Sequence, residues 1–232
     1  MIRLIVFDLD GTLAALGRGI EPQDLSLLHQ MEEAGARIAV CSGKPTYYLC
    51  GLMRQVGLNA PVLVGENGAV IQFGVDLPPK AYFVAPYSGE AKRSIRLLRD
   101  ALEACVPGMW YQPNEVGLTP FPRSEAEFDA VQACIDRLRM QMKDVIVYRH
   151  CDSFDITPNG ITKKSGLVRL GGLLGIAPEE TAACGDGVND YPMFEYAGLS
   201  VGVNVKDAGR VHKNFETATQ ALRFLLSQLK TV

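Results

Sequence analysis

Leu4-Ile5-Val6-Phe7 is an unbroken apolar run that stops at an acid, Asp8, after which the chain turns through Leu9-Asp10-Gly11-Thr12. A strand with one wet face alternates apolar and polar residues. A run apolar at every position suits a strand covered on both faces, as in a parallel sheet wrapped by helices. The pattern recurs in Ile38-Ala39-Val40-Cys41, and Thr181-Ala182-Ala183-Cys184 and Leu199 to Val203 also read as strands. Helix-spaced segments lie between these runs. Pro22 opens one, with Leu25, Leu28 and Met31 on a face and Gly35 at its stop; Thr162 to Leu174 ends at Gly175, Tyr191 to Ala197 ends at Gly198, and Ala218, Leu222, Leu225 and Leu229 mark a last amphipathic helix. This alternation predicts an α/β fold built on a doubly wound parallel sheet, in which ligands collect beyond the carboxyl ends of the strands. Asp8, Ser42 and Asp186 each follow an apolar run directly or within two residues, so folding should bring them to one sheet edge.

The middle of the chain reads differently. A strand at Tyr82-Phe83-Val84 is followed by a helix with Ala91, Ile95, Leu98, Leu102 and Cys105 on one face and an extended stretch near Trp110 to Leu118. A second helix carries Phe128, Val131, Ile135, Leu138 and Met142 and is started by a capping box of Ser124 and Glu127, before a strand at Val145 to Tyr148. The expected organisation is a catalytic core at 1–80 and 154–232, interrupted by a smaller α/β cap at 81–153. The crossings fall near Pro78-Pro79 and Pro158-Asn159-Gly160.

A chain of 232 residues, 47% of them apolar, can bury a sizeable core, and a formal charge of −3 gives no positive field to hold nucleic acid or an anionic membrane. A small diffusing partner is expected instead. The opening Met1-Ile2-Arg3 and the brief apolar run after it are too short for a signal peptide or a membrane span, which points to the cytoplasm. The six cysteines form no C-x-x-C pair and lie within strand-like or helix-like segments, so they read as reduced core thiols. His29, His150 and His212 are too scattered for a zinc site. No isolated apolar stripe demands a partner, leaving monomer and homodimer equally open.

The densest chemical signal is Phe7-Asp8-Leu9-Asp10-Gly11-Thr12-Leu13. Two carboxylates at i and i+2 before a glycine, on a turn leaving a buried strand, put two acids and several backbone N–H groups around one small space. A helix cap or an Asx turn would account for one of these aspartates but not for both. An aspartate that attacks phosphorus needs a countercation, because nucleophile and ester are both anionic, and a magnesium ion on these acids would supply it. The second acid can protonate the departing oxygen and later deprotonate water. Ser42-Gly43, at the end of the second strand, would be an ordinary turn if it stood alone. Lys163 and Lys164 are adjacent and about 100° apart around a helix, so only one can face a site. Gly185-Asp186-Gly187-Val188-Asn189-Asp190 has the first two glycines of a dinucleotide loop, but Asp190 stands where a third is needed, and acids there would repel a pyrophosphate.

In the order and spacing of these four segments the chain resembles the haloacid dehalogenase (HAD) superfamily, with its Rossmann-like core. The resemblance covers roughly 1–75 and 155–215. It implies Asp8 as nucleophile, Asp10 as general acid and base, and magnesium held by Asp8, by the main-chain carbonyl of Asp10 and by Asp186. Thr12, Ser42, Gly43, Lys163 and Asn189 would bind the substrate phosphate, with Asp190 supporting from behind, and the family spacing from Gly160 favours Lys163 over Lys164. Lys44 departs from the arginine often found there in the Cof-type branch. Ser42 and Lys163 are 121 positions apart, whereas Asp8 and Ser42 leave room for only one helix and one strand. A cap after the second motif resembles the Cof-type, subfamily IIB hydrolases, as does Gly65-Glu66-Asn67-Gly68-Ala69, and the cap's small size resembles the archaeal-type phosphoglycolate phosphatases. Such a cap would shut over the ester and exclude water.

The resemblance therefore implies a magnesium-dependent phosphatase acting on a small phosphate ester, phosphoglycolate or a sugar phosphate, through an aspartyl-phosphate. A phosphomutase or phosphotransferase would carry the same motifs; a phosphate-binding or signalling protein without turnover fits them less well. Arg123, Arg149, His150, Asp152 and Ser153, at apparent strand and loop ends of the cap, are candidates to contact the leaving group.

Overall fold

The computed structural model describes residues 1–229. In chain order the elements are β1 (Leu4–Phe7), α1 (Pro22–Glu33), β2 (Arg37–Cys41), α2 (Thr46–Val56), β3 (Val62–Gly65), β4 (Val70–Phe73), β5 (Ala81–Val84), α3 (Gly89–Cys105), β6 (Trp110–Gln112), β7 (Thr119–Phe121), α4 (Glu125–Leu138), β8 (Val145–Arg149), β9 (Phe154–Pro158), α5 (Lys163–Leu174), β10 (Thr181–Gly185), α6 (Tyr191–Phe194), β11 (Leu199–Val203), β12 (Lys213–Phe215) and α7 (Ala218–Leu229). They divide into two compact units: Met1–Phe83 with the chain from Thr162 onward, and Val84–Ile161.

The first unit is built on an eight-stranded sheet of order β12-β11-β10-β1-β2-β3-β4-β5. From β12 to β3 the pairs are parallel, and β4 turns back antiparallel to β3. The apolar runs are continuous because both faces are covered. Successive strand residues point to opposite faces. Ile5, Phe7, Ile38, Val40, Ala182 and Cys184 join the core that includes Leu28, Leu49, Met53, Leu222 and Leu225 of α1, α2 and α7. Leu4, Val6, Ala39, Cys41 and Ala183 join the opposite core with Leu167, Leu170, Met193 and Phe194 of α5 and α6. Among the described residues no helix is long and apolar enough to cross a membrane.

The second unit has its own core, in which Leu98 and Leu102 of α3 meet Val131 and Ile135 of α4, with Leu118, Phe154 and Ile156 beneath. Its strands form two antiparallel pairs, β6 with β7 and β8 with β9. The cap was expected to end at residue 153, but β9 lies in this unit because Val145↔Pro158 through Arg149↔Phe154 pair across the hairpin. At the other boundary Tyr82-Phe83-Val84, expected as the first strand of the insertion, extends the main sheet beside β4, with Phe83 edge-on to Phe73 at 6.2 Å. The helix expected over Tyr191 to Ala197 stops at Phe194, where the Tyr196 N–H donates to the Met193 carbonyl at 3.2 Å in a tighter turn. The cysteines are also less uniform than expected. Cys41, Cys50, Cys134 and Cys184 are buried, but Cys105 ends a helix and Cys151 sits in a turn, both exposed.

Where α5 begins, glycine is required. A Cβ on Gly166 would lie 2.6 Å from the Cα of Gly68 and 3.1 Å from Val64 Cγ1. Gly166→Ala should therefore destabilise the protein by about 1–3 kcal/mol through overpacking, read as a lowered urea midpoint at unchanged m-value; an unshifted midpoint would show that the turn at Glu66–Gly68 yields freely.

Candidate active site

Parallel register brings the sequence signals together. Phe7 is level with Cys184 on one side and Val40 on the other, so Asp8, Gly185 and Cys41 emerge side by side at the carboxyl ends of three neighbouring strands. The Asp8 N–H continues the ladder to the Cys184 carbonyl at 2.9 Å. The chain then turns tightly, with the N–H groups of Leu13 and Ala14 both donating to the Leu9 carbonyl at 3.0 Å. Gly11 makes this possible: its φ is +86°, and a Cβ there would lie 2.4 Å from Asp186 Oδ2. Thr12, expected to hold phosphate, donates its hydroxyl to Asp186 Oδ1 at 3.1 Å and so ties the first loop to the fourth.

Lys163 is the first residue of α5. Its side chain is 1% exposed, and its Nζ lies 2.7 Å from Asp8 Oδ1 and in a short contact with Asp190 Oδ1. Lys164 points away to Glu195 at 3.4 Å, half exposed. The helix start is fixed by reciprocal capping, Thr162 Oγ1 accepting from the Ser165 N–H at 3.2 Å and Ser165 Oγ from the Thr162 N–H at 2.9 Å. Asp190 is fully used, because its second oxygen accepts the N–H groups of Asp186 and Gly187, both at 2.9 Å. It therefore anchors Lys163 and shapes the loop that carries Asp186.

Asp8, Asp186 and Asp190 each offer a carboxylate oxygen within 4.8 Å of the others. The Asp10 carboxylate lies outside that cluster, half-exposed and 3.8 Å from Lys44 Nζ. Ser42 is buried, its Oγ accepting from the Lys44 N–H at 3.2 Å. Its carbonyl receives the Asn67 N–H at 3.0 Å, and the Glu66 N–H reaches the Lys44 carbonyl at 3.0 Å, so the turn after β3 holds the second loop. Arg169 secures that turn from α5 by donating to the carbonyls of Gly68 at 3.2 Å and Ala69 at 3.3 Å. Nothing in the sequence marked this arginine, which reads as an ordinary polar position on a helix. Gly43 is half-buried beside Ser42, and Asn189 is exposed on the loop after β10.

The electrostatics are unbalanced. Burial and Asp190 push the Asp8 carboxyl up, with Lys163 pulling against them, to about 7. Burial, then Asp190, raises Asp186 as well. For Lys163 burial opposes the charge, but Asp8 and Asp190 outweigh it and hold the ammonium protonated. Three carboxylates within 4.8 Å face a single buried ammonium, an excess of two negative charges when all are ionised. All-oxygen donors with that excess fit a hard divalent cation. With Asp190 spent on Lys163 and two amides, Asp8 and Asp186 are the acids left for it.

The cap candidates are largely engaged within the second unit. Arg149 donates to Gln132 Oε1 at 3.0 Å and lies 4.7 Å from the Phe128 ring centre, His150 is 3.3 Å from Asp155, and Ser153 donates to Asp152 at 2.9 Å.

The family described as haloacid dehalogenase-like hydrolase matches residues 5–84 and 123–214, and the chain belongs to it. Among its relatives are a phosphoglycolate phosphatase of Methanococcoides burtonii, 24% identical over 91% of this chain and 87% of that protein, and an HMP-PP phosphatase of Yersinia pseudotuberculosis, 25% identical over 85% and 82%. The fold is shared with a haloacid dehalogenase-like hydrolase from Bacteroides thetaiotaomicron, which superposes with a TM-score of 0.80 at 20% identity, covering 97% of this chain and 100% of the other.

Removing the buried ammonium should expose the imbalance. In EDTA, Lys163→Met should lose on the order of 3 kcal/mol of unfolding free energy, because two buried carboxylates lose their counterion, whereas Lys164→Met should stay within about 0.5 kcal/mol. Equal effects in urea titrations would remove the distinction between the two lysines.

Proposed function

We propose that the protein is a magnesium-dependent phosphatase that hydrolyses a small organic phosphate monoester through an aspartyl-phosphate on Asp8. The observation that carries this proposal is the carboxylate cluster at Asp8, Asp186 and Asp190, only partly compensated by the Lys163 buried in it. Family membership and the two phosphatase relatives support it.

Asp8 and Asp186, with the main-chain carbonyl of Asp10, would hold the ion, which supplies positive charge beside the incoming phosphoryl group. Lys163 fixes one Asp8 oxygen and leaves the carboxylate to attack phosphorus with the other. Phosphoryl oxygens would be met by Ser42 Oγ, the Gly43 backbone, Lys163 and Asn189, donors suited to charge spread over the transferring group. As the Asp8–phosphorus bond forms, the ester P–O bond breaks and the departing alkoxide takes a proton from Asp10. Asp10 then takes a proton from water, whose oxygen attacks phosphorus, breaks the acyl-phosphate P–O bond, frees phosphate and restores the Asp8 carboxylate. Thr12 acts through Asp186, orienting it. Phosphoglycolate is the first substrate to test, in a phosphate-release screen beside sugar phosphates and HMP-PP, since the two relatives are matched at nearly equal identity.

Asp8→Asn should retain its fold and lose nearly all turnover, a drop of about 10³-fold or more in kcat, because no covalent intermediate can form. Asp10→Asn should lose less on p-nitrophenyl phosphate, whose leaving group needs no proton, than on an alkyl phosphate. Asp8→Asn with most of its activity, or Asp10→Asn with equal losses on both esters, would overturn the respective role.

The pH dependence has a definite sign. The Asp8 pKa is raised from 3.8 to about 7 on folding, so the metal-free protein loses this group's stabilisation as pH rises through that interval. Magnesium must displace the same proton. Its apparent Kd by calorimetry should therefore fall about tenfold per pH unit approaching neutrality and level off above it; a pH-independent Kd would separate Asp8 from the ion.

A further inference from the structure

Cys105 ends α3 and Cys134 lies within α4, and their thiols come together where the two helices pack, around one guanidinium nitrogen. Arg137, one turn beyond Cys134, places Nη2 3.5 Å from each sulfur. The two differ in access, Cys105 being exposed and Cys134 buried. Both belong to the second unit, and phosphoryl transfer uses neither.

We propose that Cys105 and Cys134 are an oxidation-sensitive dithiol that closes to an intramolecular disulfide when the protein meets a peroxide. The exposed sulfur meets the oxidant first. The Cys105 thiolate attacks one peroxide oxygen, the O–O bond breaks, the far oxygen leaves as hydroxide and is protonated to water, and Cys105 becomes a sulfenic acid. Cys134 then gives up its proton and attacks that sulfur. The S–O bond breaks, the S–S bond forms and a second water leaves, so two thiols lose two electrons to one peroxide. Arg137 is placed to favour the thiolate of whichever sulfur is reacting. Burial and the neighbouring Cys105 raise Cys134 above the ordinary thiol range, which suits it to the second step rather than the first. Cys151, the other exposed cysteine, serves as an internal comparison.

The test is to treat the full-length protein with hydrogen peroxide, block remaining thiols with an alkylating agent, and digest with trypsin, which cuts at Arg123 and separates the two cysteines. The expected result is a peptide pair joined through Cys105 and Cys134, a fall from six titratable thiols to four, and full recovery with dithiothreitol. Cys105→Ser, an exposed and nearly isosteric change, should abolish the joined pair and leave Cys134 reduced. Cys134→Ser should instead leave Cys105 as a sulfenic acid trapped by dimedone. The proposal is overturned if native Cys105 goes on to sulfinic acid without joining Cys134, if Cys151 is consumed at a lower peroxide dose than Cys105, or if the disulfide found links two chains.

Discussion

Crowded negative charge governs the core. Asp8, Asp186 and Asp190 offer carboxylate oxygens within 4.8 Å of one another beyond the ends of buried strands, and one buried ammonium reaches two of them. Such an arrangement is costly unless each charge is answered. Asp190 is answered by Lys163 and two amides; Asp8 and Asp186 are answered only in part, and their carboxyls are raised accordingly. Under the proposed function a cation and an incoming phosphoryl group would balance this charge, which is the logic of preorganised electrostatics.

The surrounding architecture keeps this unfavourable cluster in place. β1 and β10 run side by side with both faces buried, so neither loop can retreat without opening two cores. The opposing wall, α5, is pinned by its capping box and by the close approach of Gly166 to Gly68. Gly68 lies in the same turn that holds Ser42 and Lys44 through Asn67 and Glu66, and Arg169 fastens that turn to α5. Ser42 and Lys163, far apart in sequence, therefore share one support, and a shift of the turn would move both.

Much of the first unit was legible because apolar runs and the acids that end them are local signals. Asp8, Ser42 and Asp186 each announce a strand end, and parallel register does the rest. Lys163 and Lys164 were indistinguishable by residue type; helix phase decides between them, and phase depends on where Thr162 caps the helix. The Thr12 contact with Asp186 was not legible, because a threonine hydroxyl can serve phosphate or a neighbouring acid equally well and only the Gly11 turn brings Asp186 within reach. Less of the second unit could be read. Phe154 to Pro158 and Tyr82 to Val84 are apolar enough for either unit, and their membership is set by hairpin pairing and by a sheet edge, both long-range properties with no local signature.

Thiol placement follows the same electrostatic logic. Cys41 and Cys184 sit at the ends of β2 and β10, next to the acids, where a thiolate would add to an existing excess of negative charge. Burial, opposed by Lys163 but reinforced by Asp8, pushes the Cys41 thiol up to about 12, and Cys184 is raised by burial and by Asp190. These cysteines behave as small apolar side chains that fill strand ends without ionising. Cys105 and Cys134 lie beside a guanidinium rather than a carboxylate cluster. Within one chain the cysteines beside the proposed phosphoryl site are thus disfavoured as thiolates, and the oxidation proposed for the second unit's thiol pair needs no chemistry at Asp8.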